Sequence, residues 1–72
     1  MKPLTDQDVK VIRFAKAVRY TTRHVYYYSK RAGAYLEVIG LRRLGPNVEV
    51  KLAEGRTFIV ARDTPFFARR GR

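Results

Sequence analysis

The residues best suited to chemistry lie in the stretch "RYTTRHVYYYSKR", residues 19–31. It combines arginine and lysine with four tyrosines and contains no carboxylate. An arginine can hold a phosphate through two parallel hydrogen bonds, and a tyrosine can hydrogen-bond a phosphate or stack on an unpaired base. These residue types indicate contact with a polyanion rather than a reaction.

The same stretch offers little for catalysis or metal binding. His24 is the single histidine of the chain, and no acidic residue lies within helical reach to orient it as a general base. Cysteine is absent, which excludes a thiolate nucleophile, and the isolated glycines match no phosphate-binding loop. We therefore expect no enzymatic activity, no metal and no cofactor, and keep a small ribonuclease as a minor alternative.

The composition supports a polyanionic partner. Sixteen lysines and arginines face six acidic residues among 72, which gives a net charge of +10 and an isoelectric point near 10.7. Such a charge attracts nucleic acid, and the 46% hydrophobic content indicates one folded domain over residues 1–72 rather than a basic tail. No apolar run approaches the ~20 residues of a membrane span, and the N-terminus lacks a signal-peptide core. We therefore expect a soluble, cytoplasmic protein with no membrane partner.

A long helix is the element predicted to position the basic residues. Thr5 and Asp8 have the spacing of a capping box, and Gly33 is the nearest helix breaker downstream, so the predicted helix covers residues 6–31. Placing residues 100° apart gives an apolar side and a basic side. Val9 and Ile12 are exceptions near the basic side. Tyr26 and Tyr28 fall at the margin of the apolar side and are assigned to the edge of the core.

Three strands are predicted after the helix, at about 35–43, 48–53 and 57–62, followed by a basic tail over residues 66–72. Gly40 marks a candidate β-bulge. The register of the last hairpin is open: a two-residue loop places Leu52 opposite Thr57, whereas a longer loop with a glycine bulge places Phe58 and Val60 in the core. The predicted fold class is α+β, with one long N-terminal amphipathic helix packed on a three-stranded antiparallel meander.

The expected function is non-enzymatic binding of nucleic acid, DNA or RNA, through the phosphate backbone. Like charges three or four residues apart destabilise a helix, so the missing negative charge is expected from a partner. The interleaved tyrosines favour RNA or single strands slightly over duplex DNA. The candidate binding residues are the cations and tyrosines of the basic side and the arginines of the tail: Arg13, Lys16, Arg19, Tyr20, Arg23, Tyr27, Lys30, Arg31, Arg69, Arg70 and Arg72.

Several roles fit this expectation. An architectural DNA-binding protein and a ribonucleoprotein component remain equally open, because the predicted helix lacks the residues usual for reading base edges. The main alternative is an assembly module that forms a homo-oligomer through the helix or an exposed sheet face. A peripheral membrane helix is less favoured, because the apolar side is needed to cover the sheet.

Overall fold

A single antiparallel sheet dominates the computed structural model, which describes residues 4–20 and 25–70. The elements in chain order are a 3₁₀ helix Asp6–Asp8, β1 Val9–Ile12, α1 Phe14–Tyr20, β2 Val25–Ser29, β3 Ala34–Leu44, β4 Asn47–Leu52, β5 Thr57–Ala61 and β6 Phe66–Arg69. The six strands lie in the order β1-β6-β2-β3-β4-β5, and every neighbouring pair is antiparallel.

The predicted helix over residues 6–31 is wrong. Its place is taken by the 3₁₀ helix, β1, the seven residues of α1 and β2. The sequences of β1 and β2, "VKVI" and "VYYYS", consist mainly of β-branched and aromatic residues, which pack well on a pleated surface. Val9 and Ile12, which did not fit the helical pattern, are both buried in β1. The α+β class is therefore corrected to a mostly β fold.

The second half of the chain follows its local pattern more closely. The strands β3, β4 and β5 lie within one residue of the predicted bounds. Val50 pairs with Phe58 and Val48 with Val60, so the hairpin has the longer loop and both β5 side chains join the core. The bulge lies beside Gly40, where Ile39 is the extra residue between two paired positions.

The predicted basic tail is also corrected, because its first part is a strand. β6 lies between β1 and β2, with Ile12 opposite Phe66 and Val25 opposite Ala68. Phe66 is completely buried, and Ala68 is nearly so. The two apolar residues fix β6 in the centre of the N-terminal half of the sheet, so residues 66–69 are part of the fold rather than a tail.

The sheet curls around its core. Strands β2 and β5 are separated by β3 and β4, which in a flat sheet would place them about 14 Å apart. The rings of Tyr27 in β2 and Phe58 in β5 nevertheless lie 5.0 Å apart, centroid to centroid. The concave inner side holds the fully buried core residues, and α1 packs onto it through Ala17. These core residues are Val25, Val38, Val48, Val50, Leu52 and Phe66.

The 3₁₀ helix is attached to the start of β1. The backbone N–H and the hydroxyl of Thr5 donate to one carboxylate oxygen of Asp8, at 2.9 and 3.1 Å. These hydrogen bonds, together with the positive charge of Arg69, lower the pKa of the Asp8 carboxyl. The backbone N–H of Arg70 donates to the carbonyl of Asp8 at 2.7 Å and extends the β1–β6 ladder. The predicted capping box thus exists, but it begins a single 3₁₀ turn.

Candidate functional site

The outer side of the N-terminal half of the sheet is unusually aromatic. Side chains alternate between the two sides of a strand, so Val25 and Tyr27 face the core whereas Tyr26 and Tyr28 face outward. Residues directly opposite one another in neighbouring strands share a side, and Tyr28 is opposite Tyr35 while Tyr26 is opposite Phe67. Strands β6, β2 and β3 therefore present aromatic side chains on the same surface.

Three of these rings, Tyr28, Tyr35 and Phe67, form a connected group that we name the aromatic row. The ring of Tyr35 lies 4.9 Å from that of Tyr28 and 5.1 Å from that of Phe67, in both cases edge to face. This geometry is favourable for aromatic pairs and fixes the rings relative to one another. Tyr28 remains 37% exposed, and the other two are half-buried. The row is a preformed apolar surface that solvent can reach.

Two hollows flank the aromatic row. One, of about 480 Å³, is lined by the three rings and by Asp6, Val9, Lys10, Val11 and Arg70. The other, of about 620 Å³, is lined by Tyr27, Tyr28, Ser29, Lys30, Arg31, Thr64, Pro65 and Phe67. Tyr28 and Phe67 line both hollows and so form the ridge between them. Volumes of this size accommodate a small organic group such as a nucleobase.

Each hollow has two cations at its border. Lys10 and Arg70 border the first, and Lys30 and Arg31 border the second. All four are exposed, and none forms an ion pair within residues 4–20 and 25–70. The Nε of Arg70 donates to the carbonyl of Val9 at 3.0 Å, which holds this side chain beside β1. The positive charge around the aromatic row is therefore available to an external anion.

Asp6 is the carboxylate that lines the first hollow, and it already has a partner. Its Oδ1 accepts a hydrogen bond of 2.5 Å from the hydroxyl of Tyr35. This hydrogen bond is the main cause that raises the pKa of Tyr35 to about 12. The phenol links the 3₁₀ helix to the centre of the aromatic row.

The structure distributes the sequence-predicted binding residues over several places. Lys16 and Arg19 are exposed on α1, and Tyr20 is its last residue. Arg13 lies just before α1, where its carbonyl accepts hydrogen bonds from the N–H groups of Lys16 and Ala17 at 3.0 and 2.8 Å. Arg23 and Arg72 lie outside the described residues, as does His24.

Among the remaining predicted residues, Lys30, Arg31 and Arg70 border the hollows beside the aromatic row, whereas Arg69 lines neither hollow. Lys30 and Arg31 lie in the turn between β2 and β3, beside the residues that precede β6. Arg69 and Arg70 lie at the other end of β6, where the strand ends. Tyr27 was expected on an exposed helix face. It is instead half-buried and packs on Phe58, because it shares the inward side of β2 with Val25.

Sequence reasoning missed Lys10 and the three residues of the aromatic row. The sequence pattern assigns Tyr28 to the edge of the core because residues 25–29 are treated as helical, and it places Phe67 in the predicted basic tail. A period of two over "VYYYS" was the signal that could have separated Tyr26 and Tyr28 from Val25 and Tyr27. Tyr35 opposite Tyr28 required the pairing of β2 with β3.

The described part of the chain shows neither a metal site nor a membrane span. No group of three histidines, cysteines or acidic residues within it could hold a metal ion. Neither helix in that part is long and apolar enough to cross a membrane. Comparisons with protein-family models, with curated proteins and with solved structures find no match to this chain.

Proposed function

We propose that this protein binds single-stranded nucleic acid across the outer side of β6, β2 and β3. Bases pack against the aromatic row, and phosphates bind the four cations at the borders of the two hollows. The observation that supports this most is the position of Tyr28 and Phe67, which form an accessible ridge between two hollows, each with two cations free of ion pairs. Basic grooves with aromatic platforms are typical of proteins that bind single strands.

A single strand fits this surface better than a duplex does. An unpaired base can leave its neighbours and stack on a tyrosine or phenylalanine, whereas bases in a duplex are stacked already and expose mainly their phosphates. Readout of duplex DNA commonly uses a helix in the major groove. The only α-helix in the described residues has seven residues, and it packs against β6 and β3.

Asp6 affects how a strand would lie. Its negative charge disfavours a phosphate in the hollow that it lines, and its remaining lone pairs can accept a hydrogen bond from the amino group of a base. A base therefore occupies the floor of that hollow, and the phosphates lie toward Lys10 and Arg70 at its border. The second hollow has no carboxylate in its lining, so Lys30 and Arg31 bind phosphate there without this competition.

Titration of the purified full chain tests the proposal. Single-stranded RNA, single-stranded DNA and the matched duplexes are compared at several salt concentrations by fluorescence anisotropy. We expect tighter binding of the single strands. Four phosphate contacts predict a slope of log K against log salt of about −3, since each contact contributes about −0.7 with single strands. Tighter binding of the duplexes, or an affinity independent of salt, would contradict the proposal.

A further inference from the structure

Strand β5 lies at one edge of the sheet, and the side of this strand that faces away from β4 pairs with no described strand. In the β4–β5 pair the N–H of Leu52 donates to the carbonyl of Arg56 at 2.9 Å. At the other end of the hairpin the N–H of Arg62 donates to the carbonyl of Pro46 at 3.2 Å. Hydrogen bonding alternates along an antiparallel pair, so even-numbered residues of this segment bond to β4. Thr57, Ile59 and Ala61 therefore direct their N–H and C=O groups away from the sheet.

This edge lacks the usual protection against further pairing. Edge strands of native proteins commonly contain charges, prolines or bulges, but β5 has the sequence "TFIVA" with none of these. Ile59 is 58% exposed although it lies in the middle of the strand. Among the outward groups, the carbonyl of Ala61 accepts a hydrogen bond of 3.0 Å from the N–H of Thr64 in the following turn. Within the described strands, β5 pairs with β4 alone.

We propose that β5 of a second copy of this chain pairs antiparallel with β5, about a two-fold axis at Ile59. Each Ile59 then exchanges both backbone hydrogen bonds with its symmetry mate. The N–H of Ala61 donates to the carbonyl of Thr57 in the second copy at either end. In this register, the N–H and C=O groups that point away from β4 in one copy face the same groups of the other copy. The two exposed Ile59 side chains contact each other. The result is one continuous sheet across the dimer.

The residues that flank β5 allow this register. Arg56 comes opposite Arg62 of the second copy, which by itself would be unfavourable. The Nε of Arg56, however, already donates to the carboxylate of Glu54, and Asp63 directly follows Arg62. Each arginine thus has a carboxylate close by in sequence. Because β5 is at the opposite edge of the sheet from β1, the aromatic row stays uncovered in both copies.

The interface is small, so the dimer should be weak and concentration-dependent. Pairing along one short strand buries less area than a standard stable interface. Each copy has a net charge of +10, and salt screens the repulsion between copies. Dimerisation should therefore strengthen with salt, whereas binding of nucleic acid weakens. The two proposals are independent, and this opposite dependence separates them.

Sedimentation velocity on the full chain, over a wide range of concentration at low and high salt, tests the dimer. Ile59→Pro is the main variant, because it removes an outward N–H and leaves the hydrogen bonds to β4 intact. Ile59→Lys is the second variant and places two like charges at the axis. We expect the dissociation constant to rise at least about tenfold in each. Ile39→Lys is the matched control, since Ile39 is also exposed, at 46%, but lies in an interior strand.

Circular dichroism shows whether each variant is folded. If one of the two Ile59 variants is unfolded, the dissociation constant of the other tests the proposal. A wild-type chain that stays monomeric at every concentration would overturn the proposal. So would a folded Ile59→Pro or Ile59→Lys variant that dimerises as strongly as wild type, or an equal loss in Ile39→Lys.

Discussion

The bulge at Ile39 divides the sheet into two halves whose outer surfaces differ. The N-terminal half, formed by β1, β6, β2 and the start of β3, has the aromatic row and cations that form no ion pair with a described residue. In the other half, formed by the rest of β3 with β4 and β5, Arg42 pairs with Glu49 at 3.1 Å and Arg56 pairs with Glu54. We name these the aromatic half and the paired half.

The inner sides of the two halves are alike, since both contribute valines and at least one larger apolar residue to a common core. The fold therefore does not require that the outer surfaces of the two halves differ. A net charge of +10 indicates an anionic partner but does not locate it. Unpaired cations alone do not locate it either, since Lys51 and Arg62 in the paired half form no ion pair with a described residue. In the proposed binding mode the aromatic row locates it, because bases stacked on the row bring their phosphates to the cations at the two hollows.

The strongest test of this comparison removes equal charge from each half. Lys30→Gln combined with Arg31→Gln takes two cations from the aromatic half, and we expect the salt slope for a single strand to become shallower by about 1.4. Lys51→Gln combined with Arg62→Gln is the control in the paired half, where both side chains are exposed and neither forms an ion pair with a described residue. The slope of log K against log salt for this control double variant should stay close to that of wild type. Anisotropy titrations at several salt concentrations measure both slopes. Equal changes in the two double variants would mean that only total charge matters.

The paired half was largely predictable from the sequence, and the reason is that its signals are local. "VEVKL" alternates strictly, and glycines mark both of its turns, with positive φ at Gly45 and Gly55. The register of the last hairpin could not be decided between two loop lengths. The structure selects the longer loop, which directs the half-buried Phe58 and Val60 to the core and leaves Ile59 exposed.

The aromatic half was not predictable in this way, because its strands depend on distant partners. β2 is held by β3 and also by β6, where Val25 is opposite Ala68. Without those partners, the spacing of valines and tyrosines between residues 9 and 29 fits a helix as well as it fits strands. At the candidate site, the cations Lys30, Arg31 and Arg70 could be predicted from the charge pattern of the sequence. The aromatic row could not, because only the pairing of the strands shows which side of the sheet each ring faces.

A smaller effect is expected from the hydrogen bond between Tyr35 and Asp6. The pKa of Tyr35 is raised to about 12, mainly by this bond, so the folded state retains a proton that an unfolded tyrosine loses near pH 10. The associated stability is present below about pH 10 and disappears as the pH rises through 12. Asp6→Asn should return the pKa of this phenol toward its usual value, which absorbance titration of tyrosinate can measure. An unchanged titration curve would show that the hydrogen bond does not form in solution.

In the proposed binding mode bases stack on the aromatic row, and the affinity of Tyr28 variants for a single strand tests this stacking most directly. Stacking contributes about 1–3 kcal/mol per base, so Tyr28→Ala should weaken binding roughly 5- to 150-fold. Tyr28→Phe retains the ring and should bind nearly as wild type. The salt slope should be unchanged in both variants, because neither removes a charge. A folded Tyr28→Ala variant that binds a single strand as tightly as wild type would contradict the account.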